Sequence, residues 1–214
     1  MSSVSGRVAP ELVDEFPGLR LMWTAVEARV GGSSRDVERR LRELSDRYRG
    51  AGVVAMRTEP IPHAYRAFFR QVGLDPDAVR IPSEEAAVRR LLQGGFRSRG
   101  ALADALLLAL VETGVPVWAL DARVADVSSL GIRVAVGGDA LGWGPDGGIA
   151  LPEGQLVVAD AASVHATLFG EPAPDHVPGP RTERIVLFAV GVDGVPAIHI
   201  EEALWVATDV LETA

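Results

Sequence analysis

The chain of 214 residues contains no cysteine, and each of its 21 basic residues is an arginine because lysine is absent. Without cysteine there can be no disulfide and no thiolate-bound zinc site. No stretch reaches the roughly 18 uninterrupted apolar residues of a membrane-spanning helix, and residues 1–10 lack the apolar centre of a signal peptide. These absences predict a cytoplasmic protein that is soluble and has no membrane partner.

The charge of the chain is divided unevenly. The net charge is −8, with +4 in residues 1–100 and −12 in residues 101–214. Such a balance argues against broad, nonspecific nucleic-acid binding, which depends on neutralised phosphates. The planar guanidinium of arginine suits phosphate contacts. The exclusive use of arginine, together with abundant alanine and glycine, also fits a codon bias without functional meaning.

Apolar periodicity and turn residues predict the order of elements in the first half of the chain. We expect Ser83 to cap one helix, with Glu84 and Glu85 in its first turn, and Gly114 to end the helix that follows. The predicted elements are a strand over 19–30 and helices over 35–49, 65–72, 83–93 and 101–111.

Strand patterns dominate the second half. Strands are predicted over 115–120, 132–136, 156–159 and 185–190, and a final helix over 200–211. Residues 161–180, with four prolines and two histidines, predict a surface loop. The fold class is therefore α/β (α+β), a layered sandwich in which helices pack on a mixed, largely antiparallel sheet.

Several short motifs occur in a fixed order along the chain. Each motif is weak alone, and their shared order and spacing give them weight. They are Phe16-Pro17-Gly18-Leu19-Arg20, Tyr65-Arg66, Gly73-Leu74-Asp75-Pro76, Pro82-Ser83-Glu84, Arg89-Arg90, Asp104, Gly114-Val115-Pro116, Asp121, Gly137-Gly138 and Val157-Val158-Ala159-Asp160.

Together these motifs resemble the B3/B4 domain, which occurs in the β subunit of phenylalanyl-tRNA synthetase and as free-standing bacterial proteins. The resemblance covers roughly residues 10–190 of a single domain, 1–214, with residues 196–214 as an appendage. In the synthetase this domain hydrolyses tyrosine wrongly attached to phenylalanine tRNA. The resemblance therefore implies a protein that recognises aminoacyl-tRNA and hydrolyses mischarged aminoacyl-tRNA in trans, or a non-catalytic module that binds tRNA or an amino-acid-like ligand.

The chain departs from the family at two pocket positions. Trp118 stands where the family has a histidine, and Leu107 replaces an asparagine. An indole offers one N–H donor and no acceptor, so it cannot act as a base. Trp118 either packs against the side chain of a bound aminoacyl group or fills the core as strand tryptophans usually do.

Acids and glycines near strand ends supply the other candidates for the substrate pocket. The predicted pocket consists of Trp118, Asp121, Gly137, Gly138, Asp160 and Thr182. Asp160 and His165 are the candidates for catalysis, since glycine-freed amides near Asp160 can hold an ester oxygen. His165 and His176 lie in the predicted loop, from which they can reach a pocket mouth.

The arginines around residues 89–99 form the predicted tRNA-binding surface. Its members are Arg66, Arg89, Arg90, Arg97 and Arg99. The alternative is a solvated helix end whose arginines pair with carboxylates. No two histidines have metal-ligand spacing, so the sequence predicts neither a metal nor another cofactor. Sequence features indicate no oligomeric state.

Overall fold

The computed structural model describes residues 2–47, 58–143 and 148–214, and these ranges contain six helices and ten strands. The helices are α1 (Pro10–Glu15), α2 (Arg35–Arg47), α3 (Pro60–Gln71), α4 (Pro82–Gln93), α5 (Ala101–Thr113) and α6 (Ala197–Glu212). The strands are β1 (Val4–Ser5), β2 (Arg7–Val8), β3 (Arg20–Glu27), β4 (Val117–Asp121), β5 (Gly131–Val134), β6 (Ala140–Leu141), β7 (Ile149–Ala150), β8 (Leu156–Ala159), β9 (Val164–Thr167) and β10 (Arg184–Gly191).

The first sheet is antiparallel and has the order β1-β3-β10-β4. Its strand β10 is apolar without interruption from Ile185 to Gly191, and residues 185–190 are all buried. A strand that is buried on both faces needs apolar side chains at every position rather than at every second one. The register places Phe188 opposite Trp118 of β4, so this sheet carries the tryptophan into the centre of the molecule.

The second sheet has the order β2-β5-β8-β9-β6-β7 and contains two parallel pairs among its antiparallel ones. A register shift between Val158 and Ala159 interrupts the pairing of β8 with β9. The prediction of a mixed, largely antiparallel α/β architecture with packed helices is confirmed. Its strands divide into two sheets instead of one, and neither sheet closes into a barrel.

Helices α5 and α6 pack against each other and α6 also covers the first sheet. Their contact is lined by small residues, and Ala105, Ala109, Ala203 and Ala207 are fully buried. Small side chains allow helix backbones to approach closely, which increases the apolar area removed from water. The segment 196–214, which the sequence analysis treats as an appendage, is thus one helix joined to the main core.

The predicted cap of α4 is wrong. Pro82 is the first helical residue, Ile81 occupies the cap position without a side-chain hydrogen bond, and Ser83 lies inside the helix. Proline at the first position has no N–H that needs a partner, so the helix begins there and moves Ser83 out of the capping position. Glu84 and Glu85 lie in the first turn as predicted, and Gly94 and Gly114 end α4 and α5 with left-handed backbone.

The surface loop predicted over 161–180 is also wrong. Residues 164–167 form β9, which pairs with β8, and both His165 and His176 are fully buried. The prolines indicate turns correctly, but the pairing with β8 depends on residues outside the segment. The helix predicted over 35–49 is observed as Arg35–Arg47, and residues 48 and 49 lie outside the described ranges. Within those ranges no helix has the length and apolar character needed to cross a bilayer.

Candidate functional site

A cleft of about 580 Å³ opens between α4, α5, the start of β4 and the segment 167–171. It brings Trp118 together with four of the five arginines predicted from the sequence to bind tRNA. The arginines that line it are Arg80, Arg89, Arg90, Arg97 and Arg99. We call this the arginine-rimmed cleft. The apolar side chains of its interior are Phe69, Leu74, Val79, Phe96, Leu106, Leu107, Leu110, Val117, Trp118, Leu168 and Phe169.

Trp118 lies mainly in the core and also lines the cleft; its contact with a bound aminoacyl group stays a prediction. Its ring stacks on Phe188 with centroids 5.6 Å apart and an interplanar angle of 18°, so most of the indole belongs to the core. Only 7% of the surface of Trp118 is exposed, and the residue lines the arginine-rimmed cleft. A stacked ring is a rigid apolar wall, so the indole is suited to contact a ligand without moving.

The loop between α4 and α5 holds the arginines in place through two buried polar side chains. Asp104 accepts hydrogen bonds from Ser33 Oγ at 2.6 Å, Ser98 Oγ at 2.5 Å and the Arg99 backbone N–H at 2.9 Å. Ser45 Oγ accepts one from the Phe96 N–H at 2.6 Å. These bonds fix the backbone on both sides of Arg97, and Asp104 therefore ties the loop.

The charges of the rim are only partly neutralised. Glu85 lies 3.4 Å from Arg80 and 3.9 Å from Arg89, and an Arg90 Nη2–H donates to the Ser45 carbonyl at 2.5 Å. Arg97 and Arg99 are exposed, and neither forms an ion pair with another described residue. Two guanidinium groups are therefore available to an anion at the mouth of an apolar cleft.

Arg66 has a different environment from the other four arginines. Its guanidinium is buried and donates to Glu84 and Asp77, each at 2.7 Å. It does not line the arginine-rimmed cleft. A buried arginine with two carboxylate partners ties α3 to α4 and has few donors left for a phosphate, so the site proposed below does not include it.

The two candidates for catalysis lie in a buried cluster away from the cleft. Asp160 accepts backbone hydrogen bonds at 2.8 Å from each of Asp126, Ala162 and Ser163. His165 Nε2 lies 3.0 Å from Asp160 Oδ2, and His165 Nδ1 lies 2.9 Å from His176 Nδ1. We call Asp160, His165 and His176 the histidine cluster. None of the three lines the arginine-rimmed cleft.

The protonation of the histidine cluster follows from its burial. Burial lowers the pKa of His165 against the opposing pull of Asp160, and burial followed by the charge of His165 lowers the pKa of His176. Burial alone would raise the pKa of Asp160, but its three backbone donors and His165 hold that pKa below the usual value. At neutral pH the cluster is therefore a carboxylate with two neutral imidazoles.

Neutral rings define the direction of the hydrogen bonds. His165 Nε2–H donates to Asp160, which leaves Nδ1 of His165 to accept from His176 Nδ1–H. His176 Nε2 is then a buried lone pair without a hydrogen-bond partner among the described residues. The Trp143 ring stands edge-on against His176 at 4.6 Å and covers it from outside.

Asp121 and Thr182, two predicted pocket residues, form a second buried contact. Thr182 Oγ1–H donates to Asp121 Oδ2 at 2.6 Å, and Arg123 Nε–H donates to Asp121 Oδ1 at 3.0 Å. The hydrogen bonds from Arg123 outweigh burial and lower the pKa of Asp121 to about 2. The Asp121 N–H donates to the His176 carbonyl at 2.9 Å, so Asp121 is connected to Asp160 through the histidine cluster, and neither acid lines the arginine-rimmed cleft.

Gly137 and Gly138 lie in the turn after β5, and neither lines the arginine-rimmed cleft. A Cβ on Gly137 would stand 2.4 Å from Glu153 Oε1, and Gly138 has a φ of +93°. The Asp139 carboxylate accepts the Val136 N–H at 2.8 Å inside this turn. The two glycines therefore shape a tight turn at the edge of the second sheet.

The sequence analysis missed Phe169, which lines the arginine-rimmed cleft. Its φ is +62°, and it is the only non-glycine residue with positive φ among those that the structure describes. A bulky residue in this conformation costs about 1–3 kcal/mol and is a typical feature of functional sites. Glycine at 170 was a visible turn signal, but the backbone conformation of its neighbour cannot be inferred from composition.

Comparison with protein-family models finds no matching family, and comparison with curated proteins finds no significant match. The described residues contain no group of three or more histidines, cysteines or acids that could hold a metal ion. Histidine, serine and cysteine are absent among the described residues that line the arginine-rimmed cleft. The acids that line it are Glu85, Asp104 and Glu171. Its chemistry is therefore suited to binding an anion that carries an apolar group.

Proposed function

We propose that this protein binds the aminoacylated 3′ end of tRNA, or a small amino-acid-like ligand, in the arginine-rimmed cleft. The observation that carries the proposal is the position of two unneutralised arginines, Arg97 and Arg99, at the mouth of a cleft walled by Trp118. The 3′ end of an aminoacyl-tRNA joins phosphates to an esterified amino acid within a few bonds. The guanidinium groups match the phosphates, and the apolar interior matches the amino-acid side chain.

The overall charge supports a local mode of binding. A net charge of −8 gives no overall attraction to RNA, so binding depends on local contacts such as those that the arginine-rimmed cleft offers. A single-stranded end with two phosphate contacts predicts a slope of about −1.4 for log K against log salt concentration. Because tRNA is charged and used in the cytoplasm, the proposal places the protein in that compartment.

The test is a filter-binding titration of aminoacyl-tRNA at several salt concentrations with the double variant Arg97→Glu/Arg99→Glu. We expect affinity to fall about tenfold or more at low salt, with a flatter salt dependence, since two phosphate contacts become repulsive. The matched control is Arg39→Glu/Arg42→Glu, which makes the same charge change at exposed positions of α2 outside the cleft. Equal losses of affinity in the two double variants would show that the change in net charge causes the effect, and would contradict the proposal.

A second titration distinguishes tRNA from a small ligand. Free amino acids and 3′-aminoacylamino-3′-deoxyadenosine 5′-phosphates are tested by thermal shift, since a ligand that binds only the native state raises the unfolding midpoint. Stabilisation by the nucleotide analogues that exceeds stabilisation by free amino acids supports the tRNA end as ligand. Stabilisation by free amino acids alone favours the small-ligand alternative.

Hydrolysis of the aminoacyl ester is the second candidate function, and Glu171 favours it. This exposed carboxylate lines the arginine-rimmed cleft and forms no ion pair with another described residue, so it can orient a water molecule against an ester. Incubation with a panel of mischarged tRNAs tests this function through the loss of the ester. The candidate requires turnover by the wild type and its loss in Glu171→Gln; a wild type without turnover leaves binding as the function.

A further inference from the structure

A second cleft of about 430 Å³ adjoins the arginine-rimmed cleft. The two share Leu74, Gln155, Leu168 and Phe169 as lining residues, so they meet at these side chains. The second cleft extends toward α1 and the end of α3, and most of its walls are apolar. Its remaining lining residues are Leu12, Glu15, Phe16, Phe68, Gln71, Val72, Val134, Gly154 and Leu156.

Phe169 occupies a backbone position that favours another residue. The Gly170 N–H donates to the Thr167 carbonyl at 2.9 Å, which closes a turn with Phe169 at its third position. With a φ of +62°, this position suits glycine or asparagine, because a left-handed backbone brings Cβ too close to the neighbouring carbonyl. The chain therefore keeps a phenyl ring where the backbone disfavours one, which points to a use for the ring.

The ring of Phe169 stands at the junction of the two clefts among other aromatic side chains. Its centroid lies 5.3 Å from that of Phe69, 5.6 Å from Tyr65, 5.8 Å from Phe68 and 6.0 Å from Trp118. The residue is half-buried, so part of the ring faces open space. Removing it would join two apolar cavities without exposing a charge.

We propose that Phe169 is the partition between the two clefts and sets the size of the amino-acid side chain that the arginine-rimmed cleft accepts. The inference rests on the proposed function and names the residue that limits its substrate class. A ligand whose phosphate binds at Arg97 and Arg99 directs its apolar side chain inward toward the partition. In this arrangement the ring limits how far an apolar side chain reaches into the cleft, so bulkier side chains clash with it first.

The test measures dissociation constants for three 3′-aminoacylamino-3′-deoxyadenosine 5′-phosphates, which carry alanine, phenylalanine or naphthylalanine. In the wild type we expect the naphthylalanine analogue to bind more weakly than the phenylalanine analogue. In Phe169→Ala the ratio of naphthylalanine to phenylalanine affinity rises about tenfold, as for one pocket group gained or lost. Phe169→Gly should raise the affinity ratio by the same amount, and it removes the strain of a Cβ at positive φ. It can therefore replace the alanine variant if that variant folds poorly.

Two controls separate size from other effects. Phe169→Leu keeps most of the volume of the partition and should retain the wild-type ranking. Trp205→Ala removes an exposed aromatic side chain from α6 outside both clefts and should leave all three constants unchanged. If the analogues bind but the affinity ratio is unchanged in both the alanine and the glycine variant, the role of Phe169 is overturned and the proposed function still stands. Failure of every analogue to bind the wild type overturns this inference, and the proposed function falls with it if free amino acids also fail to raise the unfolding midpoint.

Discussion

The arginine-rimmed cleft and the histidine cluster both contain ionisable side chains, but these side chains differ in their burial and in their hydrogen bonds. In the cluster, Asp160 accepts five hydrogen bonds, and the two histidines are fully buried beside it. In the cleft, Arg97 and Arg99 are exposed and form no ion pair with another described residue. The polar groups of the cluster stabilise the fold through hydrogen bonds, whereas the two arginines of the cleft remain exposed to solvent.

This difference is the reason for proposing the cleft, and not the cluster, as the ligand site. A buried polar group without partners is costly, so burial favours hydrogen bonds, and in the cluster those bonds occupy Asp160 and both ring nitrogens of His165 but not His176 Nε2. An exposed guanidinium carries little of the stability of the fold, because surface ion pairs contribute little. Removing groups from the cluster should therefore destabilise the protein, and replacing the two exposed arginines of the cleft should affect binding with little change in stability.

The largest expected effect follows from removing the acceptor at the centre of the cluster. Asp160→Ala leaves three backbone N–H groups and His165 without their acceptor, and breaking such buried contacts costs about 3–5 kcal/mol of the free energy of unfolding. Urea denaturation measures the loss. Glu201→Ala, at an exposed position of α6, is the control and should change stability by less than about 0.5 kcal/mol. A stable Asp160→Ala variant that has lost ligand binding would instead place function in the cluster.

The next largest effect is a loss of stability in mild acid. The pKa of His165 and of His176 is depressed in the folded state, whereas unfolded histidine titrates near pH ~6.5. The unfolded chain therefore binds more protons as the pH falls below that value, and the folded state loses stability. From pH 7.5 to 5.5 the two histidines together account for a loss of up to about 2–3 kcal/mol.

Urea titrations at the two pH values test this prediction. The variant His63→Gln/His199→Gln removes the two histidines outside the cluster and should retain the loss. Asp160 does not contribute in this window, because its depressed folded pKa places its own loss of stability below pH ~4. An unchanged free energy of unfolding between the two pH values would show that the folded protein protonates His165 and His176 as readily as the unfolded chain does. The cluster would then be accessible to solvent, as the cleft is.

Much of the fold follows from local sequence patterns. The predicted strand over 156–159 coincides with β8, and α2, α5 and β10 lie where their apolar periodicity places them. The error over 161–180 has a physical origin, because β9 is four residues long and forms through pairing with β8. Short strands that depend on distant partners leave little local signal.

The candidate site was predictable in part. Arg89, Arg90, Arg97 and Arg99 and the tryptophan of β4 meet in one cleft, as their joint assignment to a tRNA end requires. Burial depends on three-dimensional neighbours, however, and the sequence does not reveal that Arg66 meets Glu84 or that His165 is enclosed. The strained backbone of Phe169 is a tertiary property with no sequence signature at all.

A smaller effect separates the backbone of Phe169 from its ring. At a φ of +62°, glycine avoids the steric cost of Cβ, so Phe169→Gly should be more stable than Phe169→Ala by about 1 kcal/mol. Leu92, exposed on α4, is the matched control: there Leu92→Gly should be less stable than Leu92→Ala by about 1 kcal/mol, since glycine disfavours helices. Urea denaturation of the four variants measures these differences in the free energy of unfolding. If the glycine-minus-alanine difference has the same sign at both positions, the strained turn is contradicted.

The smallest expected effect is the stability of Arg97→Glu/Arg99→Glu. Neither arginine has an ionic partner among the described residues, so reversing both charges should change the free energy of unfolding by no more than about 0.5 kcal/mol. Urea denaturation of the protein used in the RNA titration provides the measurement. A loss above about 1 kcal/mol would mean that these side chains help to hold the fold, as Arg66 does, and weakened RNA binding would then reflect unfolding. A stable double variant whose affinity falls more than that of Arg39→Glu/Arg42→Glu attributes the loss to the cleft itself, because the two double variants share the same change in net charge.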